Sequence, residues 1–420
     1  MSGDLLMMPE RLPSMPEPIE DPPVVGQLVP PAHPVLAERP VPTERMEEVL
    51  RSGQAQSPFL LVDLDIVRDR FERLVRALPE TTIHYAVKAN PAPEVLSLLN
   101  DLGSSFDVAS PGEIARCLSV GVDPARLSYG STIKKERDIA WAHDRGVRLF
   151  AVDSDAELRK IADSAPGSTV FCRIASDGAG ADWPLSRKFG CEPELALELL
   201  LAAHHQHLGV GLSFHVGSQQ RDPEAWDRAL ATVADVYAVL RANDIEPAVV
   251  NLGGGFPASY LERVPDISAY GEAVSGSLHR RFGDRLPDRV IIEPGRYLVA
   301  DAGVIQTEVV LVSRKARGAD TRWVYLDVGL FGGLAEVIDE AIRYRIRTPH
   351  DGGPVGPVVL AGPSCDSADV LYERAGYRLP LALRDGDRIE LLSTGAYTST
   401  YSSVWFNGFP PLETRYLPAR

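Results

Sequence analysis

The chain is poor in cysteine, in positive charge and in long apolar runs. Only four of its 420 residues are cysteines, and they are scattered without paired spacing. A disulfide framework or a zinc knuckle is therefore not predicted, and a reducing cytoplasm is the expected compartment. No apolar run is long enough to cross a bilayer, and the N-terminus lacks the basic and apolar regions of a secretory signal.

Positive charge is outweighed by negative charge. Asp and Glu number 58 against 43 Lys and Arg, which gives a formal net charge of −15. This balance argues against nucleic acid or an anionic membrane surface as a partner. A hydrophobic content of 45% and a charged content of 24% are those of an ordinary globular enzyme. A chain of this length predicts two domains, or one barrel with an appendage.

Proline is concentrated at the N-terminus, where the first 45 residues are also rich in acidic side chains. Such a composition predicts an extended or disordered tail over residues 1–45, serving as a linker or as a strap over the domain surface.

From residue 58 apolar runs alternate with amphipathic segments. The runs occupy 59–64, 83–87, 105–109, 127–130, 149–153, 169–174, 210–216, 248–252 and 289–292. About eight strand–helix units in roughly 240 residues predict an α/β fold, a closed TIM-like (β/α)8 barrel over 58–300. Shorter alternating runs then predict a C-terminal antiparallel β domain over 301–420. The sequence leaves open whether a strand from 46–57 joins that domain.

Polar residues recur where the predicted barrel strands end, which is where barrel enzymes carry their active sites. Lys88, in HYAVKAN, is the most informative, because desolvation at the mouth of a buried strand would lower its pKa and make the amine a nucleophile. A surface lysine that caps a strand is the plain alternative. The other rim residues are Asp107, Arg173, His215, Gly253–Gly255, Glu293 and Arg296.

Each of these residues has an ordinary explanation when it is taken alone. His215 could be a core histidine, the glycines could form only a turn, and Glu293 could pair with Arg296. Together they offer a lysine for an aldehyde, a glycine nest for a phosphate, a carboxylate for a pyridinium nitrogen and an aromatic ring to stack. That combination predicts pyridoxal 5'-phosphate as the cofactor.

Two further segments lie in the predicted β domain. Cys365 and Asp366, in GPSCDSAD, stand in a loop too rich in small residues for a core strand, whereas Cys117, Cys172 and Cys191 are predicted to be buried filler. Tyr397 and Phe406 belong to GAYTSTYSSVWFNGFP, for which a packed hairpin is the alternative. The histidines at 204, 205 and 207 have no neighbouring carboxylate or cysteine, so no metal site is predicted.

Seven motifs in order resemble the fold-type III pyridoxal-phosphate decarboxylases, the family of the ornithine, lysine, arginine and diaminopimelate enzymes. They are YAVKAN, FDVAS, SFHVGS, GGGFP, EPGRY, GPSCDSAD and GAY…FNGF. The resemblance extends from about residue 57 to the C-terminus and is greatest to bacterial lysine/ornithine decarboxylases. It implies that Lys88 holds the cofactor covalently, that His215 stacks on its ring and that Glu293 pairs with the ring nitrogen.

The resemblance also implies roles for the remaining candidates. The phosphate would be held by Ser218, Gly253, Gly254, Gly255, Gly295, Arg296 and Tyr397, with Asp107 and Arg173 near the cofactor. Active sites in this family lie at a homodimer interface, where Cys365 would return a proton to the substrate carbon and Asp366 and Phe406 would lie beside the substrate. Lys188 and Asp369 resemble a pair that bridges the two subunits.

Substrate choice is implied by Glu340, which falls at an acidic position that suits the distal ammonium of L-ornithine or L-lysine, with Asp339 adjacent. Asp339 stands where eukaryotic ornithine decarboxylases have tyrosine, so their selectivity does not transfer. The products would be putrescine and cadaverine, which belong to polyamine biosynthesis. The alternative substrates are diaminopimelate or a specialised amino acid of secondary metabolism. The alternative classes of protein are a racemase and a catalytically inactive regulatory homologue.

Overall fold

A computed structural model describes residues 35–38, 40–183 and 188–420. Most of the predicted N-terminal tail, residues 1–34 and residue 39, lies outside these ranges. The described part of the tail lies along the barrel, because Leu36 bridges Pro265 and the N–H of Ala37 donates to the carbonyl of Val264 at 2.9 Å.

The described chain alternates strands and helices before it becomes mainly strand. The strands are β1 Phe59–Asp63, β2 Thr82–Ala86, β3 Ser105–Val108, β4 Leu127–Tyr129, β5 Leu149–Val152, β6 Thr169–Arg173, β7 Ala181–Trp183, β8 Gly209–Ser213, β9 Ser218–Gln220, β10 Val249–Asn251, β11 Arg289–Ile292, β12 Gly303–Ser313, β13 Arg322–Leu326, β14 Arg345–Arg347, β15 Val355–Ala361, β16 Val370–Tyr372, β17 Arg378–Pro380, β18 Arg388–Leu392 and β19 Glu413–Leu417. The α-helices are α1 Glu44–Ser52, α2 Leu64–Ala77, α3 Pro93–Asp101, α4 Pro111–Ser119, α5 Glu136–Asp144, α6 Asp155–Ser164, α7 Pro193–His205, α8 Ala225–Ala242, α9 Ile267–Phe282 and α10 Arg296–Val299.

Eight parallel strands close into the predicted barrel. They follow one another in the order β10-β11-β2-β3-β4-β5-β6-β8, with every neighbouring pair parallel. Side chains at alternate positions of four strands form a small apolar cluster of their own, which we place inside the barrel: Leu149, Ala151, Phe171, Val249 and Ile291. The opposite faces of the strands join the large core that the surrounding helices complete.

The β domain is built around a sheet in the order β14-β18-β12-β13-β15-β16, to which β1, β17 and β19 are attached. Most pairs are antiparallel, as predicted, but β1 with β19 and β13 with β15 are parallel. Tyr397 and the Cys365 loop belong to this domain.

The first apolar run does not belong to the barrel, which corrects the strand assignment made from the sequence. Strand β1 pairs with β12 and β19 of the β domain, and the first barrel strand is β2. A buried strand followed by an amphipathic helix has the same local pattern in both positions, and only distant pairing partners separate them. Residues 46–57 also differ, because they continue helix α1 and a loop, and Met46 and Leu50 pack against β1 rather than forming a strand.

Helix α8, Ala225–Ala242, is the longest helix among the described residues, and neither it nor any other described helix combines the length and apolarity needed to span a membrane.

Candidate active site

Four ionisable side chains meet at the C-terminal ends of the barrel strands. Lys88 lies in a short 3-10 turn, Val87–Ala89, directly after β2, and Asp107, Arg173 and Glu293 belong to β3, β6 and the end of β11. Their charges act on one another, since the carboxylates of Asp107 and Glu293 and the guanidinium of Arg173 all influence the pKa of Lys88. The structure therefore brings these predicted rim residues into one group.

The pKa of Lys88 differs in direction from the sequence prediction. Burial lowers the pKa of the amine, but the nearby Asp107, and after it Tyr397 and Glu293, raise it, and the net pKa lies above the ordinary value. The backbone on either side is buried, while the Lys88 side chain itself is accessible to solvent. The amine is thus a protonated, accessible cation among carboxylates when it stands alone.

Asp107 is buried, and its Oδ1 has no hydrogen-bond partner within the protein. Burial and the neighbouring Glu293 raise the pKa of the Asp107 carboxyl well above its usual range. Gly130 leaves room for it, because a Cβ added at Gly130 would lie 2.0 Å from Asp107 Oδ1. An unsatisfied buried carboxyl oxygen beside Lys88 indicates that a polar group from outside the chain completes this site.

His215 is held in one orientation and one charge state. Its Nδ1 accepts the N–H of Gly217 at 3.0 Å, so the ring proton is on Nε2. Burial, followed by the charges of Arg173 and Lys88, lowers the pKa of His215 well below its ordinary value. The imidazole is neutral at physiological pH, and Nε2 would be 3.3 Å from a Cβ at Gly254.

Gly253, Gly254 and Gly255 form a narrow loop between His215 and Glu293. A Cβ at Gly253 would lie 2.2 Å from the carbonyl oxygen of Phe214, and one at Gly255 would lie 2.5 Å from that of Gly217. Gly253 and Gly255 also have φ values of +66° and +107°, which favour glycine. The loop is therefore a cradle of bare backbone, suited to the close approach of an anion.

We expect Gly253→Ala to destabilise the protein by about 2 kcal/mol or more, because it adds a backbone clash to a left-handed conformation. Thermal unfolding would measure the loss. Gly112→Ala in helix α4 is the matched control, because its added Cβ would meet only Ser110 Oγ at 3.6 Å, and we expect its melting temperature to be unchanged or higher. Equal melting temperatures for the two variants would contradict the tight fit of the loop.

Asn251 joins the glycine loop to Glu293, and sequence reasoning missed it. Its Nδ2 donates to Glu293 Oε1 at 2.5 Å, and its Oδ1 accepts the N–H of Gly253 at 2.9 Å. The side chain is fully buried at the end of β10. A polar residue that ends a buried strand was the available signal.

Arg296 is held by three side-chain partners, so its guanidinium is fully engaged within the protein. Its guanidinium donates to both carboxylate oxygens of Glu336 at 2.6 Å, to Tyr260 Oη at 2.8 Å and twice to Ser218 Oγ at 3.1 and 3.3 Å. Ser218 and Arg296, both predicted to hold the phosphate, are thus in direct contact with each other. Glu336 and Tyr260 were missed, because nothing local in the sequence distinguishes them.

Tyr397, in the β domain, contacts the mouth of the barrel. Its N–H donates to the carbonyl of Ala89, next to Lys88, at 2.9 Å, and its ring centre lies 4.9 Å from the Arg296 guanidinium carbon. A Cβ at Gly295 would lie 3.0 Å from Tyr397 Oη, so Gly295 must stay small. Tyr397 and Gly295 therefore lie at the same edge as Lys88 and Arg296.

The loop of Cys365 and Asp366 is exposed and stands apart from the Lys88 group. The N–H of Cys365 donates to Asn407 Oδ1 at 2.8 Å, and the ring of Phe406 packs on Phe331 with centroids 4.7 Å apart. Within one copy of the described chain, no hydrogen bond or ion pair joins Cys365, Asp366 or Phe406 to Lys88.

Asp339 and Glu340 differ in solvent exposure and in hydrogen bonding. Both have positive φ values, +55° and +59°, in the irregular turn Ala335–Glu340. Asp339 is exposed, whereas Glu340 is buried, and its Oε1 accepts the N–H groups of Glu373 and Arg374 at 2.8 and 2.6 Å. The Glu340 carboxylate is therefore engaged by the backbone of the β domain, which differs from the open anchor that the sequence suggested.

Lys188 and Asp369 are not paired within one chain. Asp369 is buried and accepts the N–H groups of Leu330 and Ser364 at 2.7 and 3.0 Å, so it fixes the base of the Cys365 loop. Lys188 Nζ lies 5.0 Å from the ring centre of Phe189.

Two of the cysteines predicted to be filler contact each other. The Sγ atoms of Cys172 and Cys191 are 3.5 Å apart, and both remain thiols. In the described part of the chain no group of three or more His, Cys, Asp or Glu is arranged to hold a metal ion.

Comparison with known families gives one match over residues 64–300, more than half of the chain, to the model "Pyridoxal-dependent decarboxylase, pyridoxal binding domain". The chain is 36% identical to a lysine/ornithine decarboxylase of Selenomonas ruminantium over 355 residues, covering 84% of this chain and 88% of that protein. Antizyme inhibitor 2 of Xenopus laevis is 31% identical over 392 residues, covering 89% and 85%.

Solved structures give the same result. A lysine/ornithine decarboxylase of Vibrio vulnificus, complexed with cadaverine, superposes with a TM-score of 0.80 at 32% identity, over 90% of this chain and all of that one. A variant of SrLDC in complex with PLP gives a TM-score of 0.82 at 34% identity, covering 90% and 96%. Both comparisons extend over the barrel and the β domain.

Proposed function

Because the chain belongs to the pyridoxal-dependent decarboxylases, we propose that it removes the α-carboxylate of L-ornithine, L-lysine or both, releasing CO₂ and the diamine. It is an amino-acid decarboxylase, and its cofactor is pyridoxal phosphate. The observation that carries the proposal is the single group at the barrel mouth in which Lys88 lies among Asp107, Arg173 and Glu293, beside a bare glycine loop.

The residues present suit this cofactor. The N–H of Gly253 is taken by Asn251, so the donors for a phosphate would be the N–H groups of Gly254 and Gly255 in this side-chain-free loop and the hydroxyl of Ser218. The unpartnered Asp107 Oδ1 and the carboxylate of Glu293 supply acceptors near the amine of Lys88. When bound, the cofactor supplies an electron sink for the carbanion that loss of CO₂ leaves behind.

The chain's own residues orient the cofactor and keep its ring nitrogen protonated. Lys88 provides the amine that holds the cofactor, and the neutral ring of His215 provides a flat face for stacking. Glu293, fixed by Asn251, provides the negative charge that keeps a ring nitrogen protonated. Arg173 and Asp107 balance the charge around the amine.

The proposed selectivity for a basic side chain rests on the Asp339–Glu340 turn. Asp339 is the exposed carboxylate of the two, and we assign to it the pairing with a distal ammonium, with Glu340 holding the turn through its two backbone N–H contacts. The names of the relatives support this choice, because they include lysine/ornithine and ornithine decarboxylases.

We further propose a homodimer with shared active sites, in which Cys365, Asp366 and Phe406 of one copy reach the Lys88 group of the other and Lys188 approaches Asp369. An exposed apolar surface beside the Cys365 loop supports this arrangement: Tyr401, Val404, Trp405, Phe406 and Phe409 are each at least 36% exposed. The cytoplasm is the proposed compartment, given four free thiols.

A regulatory protein without activity is the second candidate, favoured by the similarity to antizyme inhibitor 2. Lys88, His215, Glu293 and Arg296 are all present here, which argues for an enzyme. Visible absorbance of the purified protein after dialysis against buffer containing pyridoxal phosphate separates the two, because an enzyme retains the bound chromophore.

The direct test is CO₂ release from L-ornithine, L-lysine, L-arginine and meso-diaminopimelate. Turnover of ornithine or lysine supports the proposal. Turnover of diaminopimelate alone would replace it with the diaminopimelate alternative, and a retained chromophore without turnover of the four would move the substrate to a specialised amino acid.

The raised pKa of Lys88 predicts how cofactor uptake depends on pH. The amine must lose its proton to attack an aldehyde, and below its pKa the neutral fraction grows about tenfold per pH unit. We expect the rate of pyridoxal-phosphate capture by the cofactor-free enzyme to rise steadily between pH 7 and 9, measured by stopped-flow absorbance. A rate that is flat across this range would mean that the amine is already neutral.

Cys365→Ala is expected to retain the cofactor but to release a larger share of product with the proton delivered to the wrong carbon. The thiol is exposed on the loop proposed to enter the partner's site. Chromatography of the products, with the aldehyde by-product and the matching amount of pyridoxamine phosphate quantified, measures this share. Cys117→Ala, which alters a buried thiol of helix α4, is the control, and a wild-type product mixture from Cys365→Ala would refute the role.

A further inference from the structure

Every N–H donor of the Arg296 guanidinium is used within the protein. Arg296 has five N–H groups, and five hydrogen bonds leave it: two to Glu336, two to Ser218 and one to Tyr260. No N–H of Arg296 therefore remains for a phosphate. The predicted direct phosphate contact of Arg296 requires that one of these partners give way.

The pair is also buried, and its two opposite charges neutralise each other. The side chains of Arg296 and Glu336 are 4% and 9% exposed, and their contact is bidentate. A buried carboxylate needs its counter-charge, so Glu336 does not leave Arg296 without another donor. Bidentate carboxylate and phosphate present the same geometry to a guanidinium, so the two anions compete for the same face.

A buried hydroxyl without a partner lies near this pair. The hydroxyl of Tyr344 is buried and has no hydrogen-bond partner, and its ring centre lies 5.5 Å from that of Tyr260, which binds Arg296. Burial, Tyr260 and Glu336 raise the pKa of Tyr344, so the hydroxyl keeps its proton and lies within the field of the carboxylate. Tyr344 is thus the uncharged donor that we assign to Glu336 when Arg296 turns to another anion.

The pair joins two parts of the site. Arg296 begins helix α10 beside Ser218 and the ring of Tyr397, at the edge of the glycine cradle. Glu336 lies in the turn Ala335–Glu340, which also carries Asp339. The ion pair therefore connects the proposed phosphate site with the turn proposed to choose the substrate.

We propose that Glu336 is a positioning residue that acts through Arg296, as an internal anion competing with the cofactor phosphate. It sets how tightly the phosphate is held and links its binding to the Asp339 turn. Removing its charge leaves a buried guanidinium whose best remaining counter-ion is the phosphate. This inference rests on the proposed function, because it takes the glycine cradle as the phosphate site.

The test compares two probes that differ only in the phosphate. Cofactor-free wild type and Glu336→Gln are titrated with pyridoxal phosphate and with pyridoxal, and binding is followed by absorbance. We expect Glu336→Gln to bind pyridoxal phosphate at least about fivefold more tightly than wild type, with pyridoxal unchanged. Glu390→Gln, which removes a carboxylate from another Arg–Glu pair of the β domain, with Arg347, should change neither affinity.

Unchanged or weaker binding of pyridoxal phosphate by Glu336→Gln would overturn the competition, and equal changes for both probes would show a merely structural role. Tyr344→Phe is the second variant, in case Glu336→Gln does not fold. We expect it to weaken pyridoxal phosphate binding a few-fold and to spare pyridoxal, and unchanged binding of both probes would overturn the proposed exchange. A wild type that binds the two probes equally would instead refute the phosphate cradle itself.

Discussion

Lys88→Ala is expected to lower kcat for decarboxylation by about 10³-fold or more, the largest effect of any single substitution considered for this chain. The reason is that Lys88 is the one amine in the described group at the barrel mouth, with Asp107 and Glu293 beside it. Without it the cofactor can still occupy the cradle through its phosphate, but nothing holds it covalently or delivers a proton at that position.

Two measurements check this expectation. CO₂ release gives the loss of activity, and the visible spectrum after gel filtration shows whether the chromophore stays attached to the protein. Lys135→Ala, an exposed lysine at the start of α5, should keep both properties. Retention of the attached chromophore in Lys88→Ala would assign the covalent role to another lysine.

Glu293→Gln is expected to lower kcat by about 10²-fold or more while leaving cofactor retention nearly intact. Glutamine keeps the shape and an oxygen for Asn251 Nδ2, which donates to Glu293 Oε1 at 2.5 Å, so the glycine loop should stay in place. Only the negative charge is lost, and with it the means proposed above for keeping the cofactor's ring nitrogen protonated.

Steady-state kinetics and a cofactor titration separate these effects. A fall in kcat with an unchanged cofactor affinity supports an electrostatic role for Glu293. A loss of affinity without a fall in kcat would make Glu293 a support for the loop, and Glu272→Gln, on the exposed face of α9, controls for a general effect of losing one carboxylate.

The barrel could be predicted because its signal is local. Each strand–helix unit repeats one pattern of apolar spacing, and eight of the nine apolar runs form the barrel. Strand β1 carries the same pattern but belongs to the other sheet, because its partners β12 and β19 are distant in the sequence. Local periodicity cannot distinguish pairings of that kind.

The site residues likewise divide into those that local sequence predicts and those that depend on the tertiary fold. Lys88, Asp107 and Glu293 could be predicted, because parallel strands end at one rim whatever their order. The direction of the Lys88 pKa could not, since the neighbours that decide it come from other strands. Glu336 lies in an irregular turn 40 residues from Arg296, and only the tertiary fold brings the two together.

Strand β1 has a consequence for how the protein is made. Its five residues are buried in the finished sheet, between β12 and β19. On a ribosome they emerge before the whole barrel, and at ordinary elongation rates the first partner strand follows roughly ten seconds to a minute later. For that interval the apolar segment has no partner strand, because β12 begins at Gly303, only after the last barrel strand, β11, has ended at Ile292. The order of synthesis thus places the pairing of β1 after the synthesis of the barrel, although β1 precedes the barrel in the chain.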